Sequence, residues 1–183
     1  MSRYRREWLE GGVFFFTVVT HERRPTLATE LGLRCLRYAW RETVSTMPFD
    51  TDAVCILPDH LHTVWSLPEG DRDYSARWRK LKGLFTREYR IHGGMEGKRN
   101  ASRLRSREAA VWQRRYWEHR IRDADDFRRH VNYIHFNPVK HRLVSRVADW
   151  EWSSFHDHVK NGWLDPDWGT TEPDDIGNIE VGE

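Results

Sequence analysis

Nowhere in these 183 residues does an apolar run approach the length needed to cross a membrane, which is about 20 residues. No segment repeats. The opening MSRYRREWLEGGVFFF is basic at its start, but its apolar run is short and no cleavage site follows, so it does not read as a signal peptide. Cysteine is scarce. Cys35 and Cys55 stand alone without metal-like spacing. They are expected as buried free thiols of a reducing compartment, which makes the protein cytoplasmic and excludes a disulfide scaffold. Lys and Arg are missing altogether from residues 161–183, which carry 7 Asp plus Glu.

That gap is half of an asymmetry hidden by the net charge of +2. Residues 71–130 carry 18 Lys plus Arg against 9 Asp plus Glu. A basic middle and an acidic end suggest a polyanion-binding surface and a segment able to compete for it. The basic stretch is interleaved with Trp78, Phe85, Tyr89, Trp112, Tyr116 and Trp117. Positive charge tracks phosphates and flat rings stack on unpaired bases, so this mixture suits nucleic acid. The same rings also suit a core, with the arginines on a solvated face.

The length fits one domain, since most domains run to roughly 100–200 residues. VFFFTVVT at 13–20 is β-branched and aromatic and reads as a strand. Residues 30–44 carry a fair helical pattern. Residues 49–58 and 60–68 read as two antiparallel strands around the Pro58-Asp59 turn. Trp78, Leu81, Phe85 and Tyr89 recur at helical steps in 73–90, with Asp73 or Ser75 as N-cap. Residues 91–109 hold Gly-Gly, many charges and no periodicity, and read as a mobile loop. Residues 110–117 give a fourth strand. Residues 123–138 give a third helix, begun by Asp123 and stopped at Pro138. The order is strand, helix, strand, strand, helix, strand, helix. The fold class is therefore α+β: a ferredoxin-like split βαβ, with a central antiparallel sheet and helices packed on it. This domain covers residues 1–160, and 161–183 form an irregular acidic tail.

Within LPDHLHTVW, side chains alternate faces, so His60 and His62 share one. Two imidazoles ~7 Å apart along a strand can converge on one divalent ion when a third ligand arrives from elsewhere. A bare HxH is equally a solvated strand face. The third helix adds to the metal reading. Phe127, Val131 and Ile134 form its core stripe at 100° per residue. Asp126, His130, Tyr133 and Asn137 lie on the adjacent one. Tyr133 and Asn137 thus sit one turn apart. If that edge lies over the histidine strand, an ion held by His60, His62 and Asn137 sits near the Tyr133 hydroxyl. Taken alone, Tyr133 also reads as an amphipathic residue at the rim of the core.

PDHLH, the basic helix, WQRRYWEHRIRD and HVNYIHFNPVKH, in this order, resemble the REP-associated tyrosine transposases, single-tyrosine members of the HUH endonuclease superfamily. YRREWLEGGVFFFTV also resembles that family's first strand, though it reads GGVFFF where relatives often have Gly-Thr-Trp. The likeness runs over about residues 4–160. It implies His60 and His62 as the metal pair, Asn137 as a third ligand, Tyr133 as nucleophile and Mg²⁺ or Mn²⁺ as the ion. The implied substrate is single-stranded DNA beside a REP-type palindromic hairpin. The implied reaction is a transesterification that leaves a free 3′-hydroxyl and a 5′-phosphotyrosine and can be reversed by a second 3′-hydroxyl.

His130, one turn before Tyr133, is a candidate proton acceptor. Arg77, Lys80, Arg114, Arg115 and Lys140 are candidate phosphate contacts. The protein is expected to be a monomer. The alternatives are a module that binds the hairpin without cutting it, and a metal-dependent phosphodiesterase in which water attacks. The acidic tail, with Trp163 and Trp168, is expected either as a disordered solubilising end or as an imitation of a single strand lying on the basic surface.

Overall fold

The computed structural model describes residues 12–177 and 179. Residues 1–11, read above as no signal peptide and as part of the family-like opening, lie outside them.

Four strands form one antiparallel sheet in the order β2-β3-β1-β4. They are β1 (Val13–Val19), β2 (Asp50–Ile56), β3 (His60–Ser66) and β4 (Trp117–Arg120). With α1 (Glu30–Thr46) between β1 and β2, and α2 (Tyr74–Ile91) between β3 and β4, this is the expected split βαβ arrangement. β1 is buried along its whole length, because both faces of the sheet are covered. Phe14, Phe16 and Val18 pack with Leu36, Trp65 and Trp78 on the side of α1 and α2. Val13 and Phe15 pack on the other side with Phe127, Val131 and Ile134 of α4 (Ala124–Lys140). The apolar stripe read from the sequence is therefore the face that α4 lays on the sheet.

Side-chain caps set the starts of the long helices. The Asp73 carboxylate accepts from the Ala76 amide, and Asp123 accepts from Asp126. The end of α4 differs from expectation. Pro138 lies inside the helix, and the chain turns only after Lys140. The Leu143 amide donates to Pro138 O, the Arg142 amide donates to Val139 O, and Arg142 takes φ 58°. This paired closure satisfies the last carbonyls, so it ends the helix where proline does not.

Two other expectations are corrected. The fourth strand starts at Trp117. Residues 110–116 meet β1's extension at the isolated Thr20–Trp112 bridge, flanked by the His21 amide on Val111 O and the Gln113 amide on Val19 O. Residues 91–109 contain a short helix, α3 (Ala101–Arg105). Its buried Arg103 donates to Glu108, Ala109 O and Trp112 O and ties this segment down.

The last helix, α5 (Phe155–Lys160), leads into the acidic segment. The described residues of that segment form turns and bends without a helix or strand. Its Leu164 and Ile176 are buried in the α4-side core, and Asp175 accepts from Asn132 and lies 3.5 Å from Arg128.

Candidate active site

The histidine pair sits where β3 leaves a tight turn, closed by the Leu57 amide on His60 O. Register fixes its neighbours: His60 lies opposite Val19, and His62 opposite Thr17. Directly opposed residues of an antiparallel pair point to the same face, here the face beneath α4. The two imidazole centroids are 4.9 Å apart. His60 Nδ1 lies 2.7 Å from the Asp59 carboxylate, and His62 Nδ1 lies 2.9 Å from Thr17 Oγ1. A hydrogen bond at Nδ1 fixes the ring and makes Nε2 the ligand nitrogen. Burial would raise the Asp59 carboxyl, but His60 and Arg23 outweigh it and hold the group at about 2.

α4 brings Tyr133 to this pair. Its ring is 5.3 Å from that of His62, and Phe15 forms a shared wall, 5.7 Å from His62 and 6.3 Å from Tyr133. Tyr133 is 3% exposed. Asn137, one turn on, is fully buried. Lys140, a further turn along, donates to the Tyr133 hydroxyl at 2.8 Å and lies 4.6 Å from the ring centre. The structure thus gathers His60, His62, Tyr133 and Lys140, with Asn137 buried on α4 one turn beyond Tyr133. The His141 ring joins them at 5.1 Å from His60.

His130 points elsewhere. Its Nδ1 donates to Asp126 O, and its ring stacks 4.6 Å from that of His119. Burial pushes its pKa down. His119, Asp126 and His130 form a second group, with ligand atoms within 4.8 Å of one another. His119 and Arg122 hydrogen-bond the Asp126 carboxylate and, against burial, hold it at about 2. Groups able to hold a divalent ion are therefore present, and this second one also ties β4 to α4.

The expected phosphate contacts separate. Arg77 is buried, held by Asp71 and the Met47 and Pro48 carbonyls, so it is a structural cation of α2. Lys80 donates to Thr46 at the end of α1. Arg114 and Arg115 are exposed. Arg114 borders a cleft of about 690 Å³ between α2 and residues 107–116, together with Arg79, Lys82, Arg87, Arg90 and Arg107. There burial lowers Lys82 to about 8 against the pull of Glu108. Most of the interleaved rings are core: Trp78 and Phe85 are fully buried and Trp112 nearly so.

Sequence reasoning missed Asp59, Thr17 and His141. Asp59 carried a signal, since a carboxylate beside a candidate ligand histidine commonly orients it. Thr17 carried none, because only the β1–β3 register brings it to His62.

No protein-family model matches the chain. A REP-associated tyrosine transposase of Escherichia coli strain K12 is 40% identical over 183 residues, which covers 100% of this chain and 98% of the relative. A Haemophilus influenzae chain, provisionally given the same name, is 44% identical over 92% of this chain and 94% of its own length. A solved structure of a REP-associated tyrosine transposase bound to a REP hairpin superposes with a TM-score of 0.77, at 39% identity, over 100% of this chain and 98% of that one. Full-length likeness at this identity agrees with the histidine pair and tyrosine brought together under α4: the chain belongs to the REP-associated tyrosine transposases.

Proposed function

We propose that this protein cuts single-stranded DNA beside REP-type hairpins, with Tyr133 as nucleophile. The observation that carries the reading is the seating of Tyr133 against His62, with the Lys140 ammonium on its hydroxyl. The Tyr133 hydroxyl gives up its proton to solvent, and its oxygen bonds to phosphorus as the bond from phosphorus to the 3′-oxygen breaks. The 3′-oxygen leaves as a hydroxyl on taking up a proton, and the other strand stays as a 5′-phosphotyrosine. Attack by a 3′-hydroxyl runs the step backwards, so no nucleotide hydrolysis is needed. Lys140 orients the phenol oxygen and offsets negative charge on it. Phe15 confines the ring.

The donor set of His60, His62 and the Asn137 amide suits a borderline or hard divalent ion, with Mg²⁺ or Mn²⁺ as our assignment. Asp59 and Thr17 supply the outer partners that such ligands need. When bound, the ion polarises the phosphoryl oxygen and neutralises developing charge. Arg114, Arg115 and the α2 cleft hold the hairpin backbone.

The test is incubation with a hairpin carrying a single-stranded flank and Mn²⁺, followed by denaturing electrophoresis. A covalent protein–DNA band is expected. It should be lost in EDTA and in His60→Ala or His62→Ala, while binding persists, because phosphate neutralisation carries most of the affinity. Cleavage without a covalent band overturns the tyrosine mechanism in favour of attack by water. Binding without cleavage leaves a hairpin-binding module.

A further inference from the structure

Among the described Phe, Tyr and Trp residues, Trp117 alone is exposed, at 38%. It opens β4, the edge strand. Its cross-strand partner is Thr17, and the partner of Thr17 on the other side is His62. Trp117, Thr17 and His62 therefore form one row across the sheet, with all three side chains on the catalytic face. Two strand spacings separate the row's ends, about 10 Å between backbones. A second cleft of about 690 Å³ covers this end of the row and is lined by Thr17, Val19, Arg114, Arg115, Trp117 and Glu118. Thr17 belongs to both places: it borders the cleft and its hydroxyl holds His62 Nδ1. No further strand pairs beyond β4 among the described residues, so a ring here has room for a flat partner.

We propose that Trp117 is the stacking platform for an unpaired base next to the scissile phosphate, with Arg115 on the adjoining backbone. This deepens the proposed function and rests on it. A strand whose phosphate is held at His62 and Tyr133 and which leaves along the row passes over the indole within one or two nucleotides. Every base has a π-face, so the platform tolerates any sequence. It discriminates pairing instead. Inside a duplex both faces of a base are covered by its neighbours, and the indole can be used only when the base is single-stranded. Trp117 would thereby restrict cutting to the unpaired flank of a hairpin.

The experiment replaces single nucleotides around the mapped cleavage position by abasic sites, and measures kcat/KM with the parent and with Trp117→Ala. One abasic position should slow the parent about tenfold, the scale of one base–aromatic stack. Trp117→Ala should slow the intact substrate by the same factor and lose nothing further at that position, while Trp117→Phe keeps most of the rate. In parallel, 2-aminopurine is placed at each position in complexes of Tyr133→Phe, which cannot cut. Quenching at the same position, relieved by adding Trp117→Ala, supports the platform. Equal rates for parent and Trp117→Ala, or penalties that multiply at every position, overturn it. If the parent forms no covalent adduct with any substrate, the cleavage reading fails. The 2-aminopurine arm then still decides whether a base stacks on Trp117.

Discussion

Tyr133→Phe removes one oxygen and leaves the ring contacts with Phe15 and His62 in place. The lost hydrogen bond from Lys140 is worth about 1 kcal/mol, so the variant should fold with only a small drop in unfolding temperature. Adduct formation should vanish while hairpin affinity holds. Cutting near the parent's rate would reject the assignment. Asp59→Asn probes the outer layer. The amide keeps the shape but replaces the carboxylate that orients His60 and pairs with Arg23. Loss of such a partner commonly costs about 10–100-fold in metal affinity or activity. The Mn²⁺ concentration for half-maximal cleavage should rise, with the rate partly restored at high Mn²⁺; an unchanged metal titration counts against the pairing. These residues differ in how legible they were. A period of two puts His60 and His62 on one strand face and the helical period puts Tyr133 and Asn137 one turn apart, but their roles were implied by the resemblance to the family. Lys140 was read as a phosphate contact, since its place on the Tyr133 hydroxyl depends on α4 continuing past Pro138.

The elements were legible where local chemistry decides them. The Pro58-Asp59 turn joins β2 to β3, and the carboxylates of Asp73 and Asp123 cap α2 and α4. They were not legible where distant partners decide. α3 is a single turn held by Arg103 reaching to Trp112, and β4 is set by where its chain meets β1. α5 and the loop before it are fixed the same way, through histidines buried against the sheet. His135 Nε2 lies 3.1 Å from Ser154 Oγ, and His158 Nε2 donates to Asp52 O. Burial lowers His158 to about 4 and pushes His135 well below the usual histidine range, aided there by the charges of His158 and His156. Both are neutral in the folded protein. The linkage is absent above pH 6.5. As pH falls from there towards 4, the unfolded chain takes up the protons first and stability drops. For His158 alone the loss approaches about 3 kcal/mol. Asp59 and Asp126, held at about 2, contribute their own loss only below the ordinary carboxylate value, so the two windows separate. Urea unfolding from pH 7.5 to 4.5 should show this decline, and His158→Gln should flatten it. A flat parent curve would reject the buried neutral pair.

At the scale of the molecule, two regions of opposite charge lie on different layers of the fold. The basic cleft lies along α2 and residues 107–116. The described part of the acidic segment lies on the α4 layer, where Leu164 and Ile176 are buried and Asp175 meets Asn132 and Arg128. This docking changes how its role must be tested. Removing residues 161–183 would uncover core as well as remove charge, since each buried aliphatic side chain is worth about 1.5–3 kcal/mol. Truncation therefore confounds two effects. Amide substitutions separate them. Asp165→Asn, Asp167→Asn, Glu172→Gln and Asp174→Asn together remove four charges and leave Asp175 and both buried anchors intact. If the carboxylates compete with phosphates, they do so as a tethered ligand at an effective concentration of order mM. The amide variant should then bind non-cognate single strands more tightly than the parent at low salt. The gain should shrink as the Debye length falls to about 8 Å at physiological ionic strength. Thermal unfolding should stay near the parent's, whereas truncation lowers it. If the amide variant binds every strand as the parent does at low salt, the acidic segment acts only as cover for the core beside α4.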